Sequence, residues 1–80
     1  MRILDQKNDQ SINQVVLYLT KEEALELKDS LDGIIEDNNL GRHEHVSSSE
    51  YDKEITVCLY DPGSIEQFSE RSKKLIRHDL

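Results

Sequence analysis

The sequence predicts an α+β fold: an antiparallel sheet of three to four strands with two helices on one face, in the order (β)βαββα. Three observations carry this reading. Residues 15–19 form an unbroken β-branched and aromatic run, VVLYL. Two later stretches place apolar residues at three- and four-residue spacing behind a capping box. Between them lies a segment of alternating character that closes on Asp61-Pro62-Gly63.

Taken in order, MRILD at the N-terminus reads as a short edge strand, with Lys7-Asn8-Asp9 as the turn that follows. Residues 12–19 read as a central strand covered on both faces. Thr20-Lys21-Glu22-Glu23 is the first capping box, and Ala24, Leu27, Leu31 and Ile34 make one apolar stripe behind it. Gly33 costs this helix on the order of 1 kcal/mol against alanine, a cost offset if it permits close packing on the sheet. Asn38-Asn39-Leu40-Gly41 supplies the stop. Residues 42–46 and 53–60 then read as a hairpin, with Ile55, Val57 and Leu59 on one face and Thr56, Cys58 and Tyr60 on the other. Ser64-Ile65-Glu66-Gln67 is a second capping box. The helix it opens carries Ile65, Phe68, Ser72, Leu75 and Ile76 on one face, and Lys73, Lys74, Arg77 and His78 near its end.

Eighty residues fit a single small domain, 1–80, with a modest core. The chain is polar, 34% charged against 35% apolar, but its apolar residues are clustered, which argues for a folded domain. A net charge of −7 repels phosphates and anionic headgroups, so duplex nucleic acid and membrane surfaces are disfavoured partners. A basic protein is favoured. The single cysteine, Cys58, has no intrachain disulfide partner, and the first residues carry no apolar signal segment. A cytoplasmic location follows as the expectation.

The densest group of polar side chains is Arg42-His43-Glu44-His45-Val46-Ser47-Ser48-Ser49. Arg42, His43 and His45 bring or attract positive charge, and Ser47, Ser48 and Ser49 bring hydroxyls and amides. In an acidic chain that combination is what an anion site needs. Tyr18 and Tyr60 are candidates to stack on a ring of the same ligand. His43 and His45 stand about 7 Å apart on one strand face, but two ligands do not make a metal site, and Cys58 completes no zinc spacing. The plainer reading pairs the histidines with Glu44, Glu50 or Asp52. Cys58 with a histidine has the residue types of a nucleophilic pair, yet it sits mid-strand with no helix N-terminus or fixed cation to lower its pKa. No phosphate loop, HExxH or GxSxG occurs. The chain is therefore read as non-enzymatic, with no catalytic residue, metal or cofactor assigned.

The runs LYLTKEEALELKDSL and HEHVSSSEYDKEITVCLYD resemble small bacterial and phage-type acidic proteins that share LYLTxxEAxEL and HxHVSxxxYxxEITV segments. The resemblance covers residues 15–61. It implies a compact stand-alone domain and brings no activity or site residue with it.

Two functions of different class remain open. One is a small-molecule binder, sequestering or sensing an anionic phosphorylated or nucleotide-like ligand as a homo-oligomer through Arg42, His43, His45 and the serine loop. The other is an inhibitor or immunity-type protein whose acidic first helix, presenting Glu22, Glu26 and Asp29, docks on a basic protein. In either case the non-helical sheet face, with Val16, Tyr18, Cys58 and Tyr60, is expected to join two or more copies.

Overall fold

A computed structural model of the chain describes residues 1–37 and 42–80. The elements are β1 (Leu4–Asp5), β2 (Gln10–Ser11), α1 (Lys21–Asp37), β3 (His43–Ser47), β4 (Glu54–Cys58) and α2 (Glu70–His78). The class is α+β. Among the described residues, however, the strands form two separate two-stranded antiparallel sheets, β1-β2 and β3-β4, rather than one sheet of three to four strands. The expected glycine stop at Asn38-Asn39-Leu40-Gly41 lies outside the described residues.

The largest departure is the expected central strand. Residues 12–20 adopt no strand, and Val15, Val16, Leu17, Tyr18 and Leu19 are all exposed. The physical reason lies in what β-propensity measures, which is fit to a pleated, half-buried surface beside a pairing strand. Among the described residues, no strand pairs with this run.

The chain divides into two compact units, Met1–Leu17 with Pro62–Leu80, and Tyr18–Asp61. In the first, β1 and β2 pair Leu4 with Ser11 and Asp5 with Gln10, and the Ile12 amide extends the ladder to the Ile3 carbonyl at 3.0 Å. The turn forms at the expected place. Asp5 closes it by accepting the Lys7 and Asn8 amides at 3.1 and 3.3 Å and the Asn8 side chain at 2.9 Å. These bonds, that from the Asn8 side chain foremost, hold the Asp5 carboxyl below its ordinary pKa.

The second helix starts later than expected. Phe68 donates to the Ile65 carbonyl at 3.1 Å in a turn that seats the buried Ile65. Ser69, not Ser64, is the N-cap, its hydroxyl accepting the Ser72 amide at 3.2 Å. Asp79 ends the helix in the left-handed conformation, φ 56°, with its amide bonded to Leu75 O at 2.9 Å. Arg2 lays its guanidinium on the same end, donating to Leu75 O at 3.0 Å and Ile76 O at 3.1 Å. A cation there offsets the negative pole of the helix. Arg71 joins Asp9 and the Leu80 carbonyl, tying the hairpin turn and the C-terminal residue to α2.

In the second unit, the Thr20 box forms as the sequence dictates. Thr20 Oγ1 accepts the Glu23 amide at 3.2 Å, and Glu23 Oε1 accepts the Thr20 amide at 2.8 Å. α1 packs chiefly on β3 and to a lesser degree on β4. Its inward row is Glu23, Leu27, Ser30 and Ile34, with Ile34 only 1% exposed, whereas Ala24 and Leu31 of the expected stripe are exposed. A Cβ placed on Gly33 would meet nothing within 4 Å, so close packing does not account for this glycine.

Candidate functional site

Antiparallel register decides which hairpin side chains share a face. β3 and β4 pair His43 with Cys58, Glu44 with Val57, His45 with Thr56, Val46 with Ile55 and Ser47 with Glu54. Because side chains alternate, His43, His45, Ser47, Glu54, Thr56 and Cys58 project from one face. Glu44, Val46, Ile55 and Val57 project from the other, which carries the buried Val46. The expected division of Ile55 and Val57 from Thr56 and Cys58 is present, and His43 and His45 stand exposed on the polar face.

The two histidines differ in their surroundings. His45 Nδ1 lies 2.9 Å from both Glu54 Oε1 and Thr56 Oγ1, so a proton on Nδ1 serves two acceptors across the hairpin. Glu54 is the carboxylate involved, not Glu44, Glu50 or Asp52. His43 faces Cys58, whose thiol is half-buried and directed to the Leu59 carbonyl at 3.4 Å. Among the described residues, no group of three or more His, Cys, Asp and Glu side chains could hold a metal ion.

Arg42 is already engaged by anions from its own chain. Its guanidinium forms ion pairs with Asp37, at the end of α1, and with Glu44, two residues along β3. The serine loop is likewise occupied by internal bonds. Ser48 Oγ donates to Asp52 Oδ1 at 2.7 Å and accepts the amides of Asp52 and Lys53 at 3.2 and 3.1 Å. Asp52 also takes Lys53 Nζ at 2.9 Å. The Ser48 hydroxyl first, and the Lys53 ammonium after it, bring the Asp52 pKa down to about 2. The Ser49 amide is bonded to Glu23, whose carboxyl is held below its ordinary pKa mainly by the Thr20 amide, with the Thr20 hydroxyl and the Ser49 amide adding to it. Thus Glu23 stands at the loop as an internal anion.

The proposed aromatic partners are dispersed. Tyr18 is 93% exposed and lies outside any strand, while Tyr60 is half-buried and follows the paired part of β4. The structure therefore brings His43 and His45 together with Cys58 and Thr56. It does not bring Tyr18 into a strand beside them.

Around α1, charge is sorted by flank. At 100° per residue, Glu22, Glu26, Asp29 and Glu36 fall on one side, all exposed and none within ion-pair distance of a cation among the described residues. Lys21 and Lys28 fall roughly 100° around the helix from the middle of that row, where Lys28 pairs with Asp32 at 2.8 Å and its pKa is raised by that bond. The same side exposes Leu31 and Ile35, at 39% and 62%. Helical spacing alone marks the acidic flank. The Asp37–Arg42–Glu44 and His45–Glu54–Thr56 groups were missed because they depend on strand register and on how α1 meets the hairpin. Among the described residues, no helix is long and apolar enough to cross a membrane. No family model matches the chain, and neither does any curated protein or solved structure.

Proposed function

We propose that this chain is a non-enzymatic binding module, a phage or bacterial accessory protein of the cytoplasm, acting as a homo-oligomer whose α1 docks on a basic protein. The carrying observation is the uncompensated flank of Glu22, Glu26, Asp29 and Glu36. α1 holds seven carboxylates and two lysines, five of the seven net negative charges, and neither lysine is within ion-pair distance of that flank. Long-range attraction from such a surface speeds encounter with a basic partner and weakens as salt rises. Exposed Leu25 lies beside the charged row and offers it apolar contact.

The test is co-purification from the protein's own cells with wild type and with the Glu22→Lys, Glu26→Lys, Asp29→Lys triple variant. A stoichiometric basic partner should be bound by the wild type, released by moderate salt and lost in the variant, with circular dichroism unchanged. Retention by the folded triple variant would reduce the flank to a solvated surface.

A second reading, an anionic phosphorylated or nucleotide-like ligand, is favoured by one observation, the open hairpin face bearing His43 and His45. In this reading Arg42 must exchange Asp37 and Glu44 for the ligand, with Ser47 and Ser49 beside it, so the displaced carboxylates subtract from its attraction. Calorimetric titration of nucleotides and sugar phosphates into wild type and Arg42→Ala decides it. Binding weakened by the substitution supports the reading, and its absence in both proteins removes it.

A further inference from the structure

We infer that residues 15–19, VVLYL, are a pairing strand for a second copy of this chain, joined antiparallel to the same segment about a two-fold axis at Leu17. The inference deepens the homo-oligomer part of the proposed function and rests on it. Exposures of 53, 74, 47, 93 and 37% for Val15, Val16, Leu17, Tyr18 and Leu19 leave five consecutive large side chains in water. Among the described residues, no hydrogen bond is made by the backbone of this run. A sequence of high β-propensity whose amides and carbonyls bond to none of the described residues is a template for strand addition.

Charge and symmetry select a second copy as the occupant. Charge comes first: residues 10–20 contain no ionisable acid or base other than the Tyr18 phenol, so two copies of a chain of net charge −7 can approach here without like charges meeting. Symmetry comes second. Centring the pair on Leu17 sets Val15 opposite Leu19 and Val16 opposite Tyr18, so every apolar side chain meets another, and Gln14 meets Thr20 at the margin. A two-fold contact of this kind closes on itself, and it avoids the carboxylates that the β3-β4 sheet carries in its strands, Glu44 and Glu54.

The experiment uses the full chain in a Cys58→Ser background. Sedimentation equilibrium at micromolar concentration should show a dimer, and Tyr18→Glu should raise its dissociation constant by at least roughly tenfold without altering the circular dichroism. Leu17→Cys should then cross-link to its own copy under mild oxidation, because facing residues of an antiparallel pair stand within disulfide reach. Val15→Cys should cross-link far less alone than together with Leu19→Cys. A monomeric wild type overturns this pairing and the homo-oligomer reading together. A dimer that survives Tyr18→Glu and cross-links at Glu22→Cys but not at Leu17→Cys overturns the strand pairing alone. A monomer whose run is protected only by another protein or by lipid vesicles likewise overturns it.

Discussion

Thr20 and Glu23 hold each other's amides, at 3.2 Å through the threonine hydroxyl and 2.8 Å through the glutamate carboxylate. Two of the orphan donors at the start of α1 are thereby satisfied by side chains three residues apart. Glu23 reaches further, to the Ser49 amide, so the helix start and the hairpin loop share one carboxylate.

Thr20→Ala should destabilise the chain by about 1 kcal/mol, the usual cost of an N-cap. Thr20→Ser should recover most of it. Urea denaturation of the three proteins measures the difference, and an Ala variant as stable as wild type would mean that tertiary contacts alone hold the first turn.

Gly33→Ala should stabilise the chain by roughly 0.5 to 1 kcal/mol. The new methyl group meets no atom within 4 Å, so the gain in helix propensity carries no steric penalty. A lowered urea midpoint would show that the glycine serves a contact made only in an assembly.

The hairpin loop should resist acid. A carboxyl whose pKa is lower folded than unfolded stabilises the fold at pH values above its unfolded pKa, and that contribution fades as pH falls through the folded one. For Asp52 the window runs from 3.8 down to about 2. Glu23 is shifted in the same direction. Carboxyl chemical shifts followed from pH 6 to pH 1.5 should show Asp52 titrating at about 2, and Ser48→Ala should return it toward its ordinary value.

What the sequence disclosed was what neighbours along the chain decide. The Thr20–Glu23 box, the turn at Lys7-Asn8-Asp9 and the alternation that separates Ile55 and Val57 from Thr56 and Cys58 are local or period-two properties, and each is present. Ser64 offers a helix start because Ser-x-x-Gln fits a cap as well as Ser69 does. The Ile65–Phe68 turn and burial of Ile65 select the later one. Residues 15–19 have the composition of a strand, but pairing requires a partner and composition cannot name one. Arg42 looked available for a ligand because Asp37 lies five residues back across the end of α1, a separation with no fixed geometry in sequence. Its partners are visible only once α1 and β3 are placed.

The division of the chain into Tyr18–Asp61 and the two flanking stretches sets an order of events during folding. The α1-β3-β4 unit is contiguous and closes through contacts of shorter sequence separation. The other must join Arg2 to Leu75 and Ile76, and Asp9 to Arg71. Contacts of such long sequence separation form slowly.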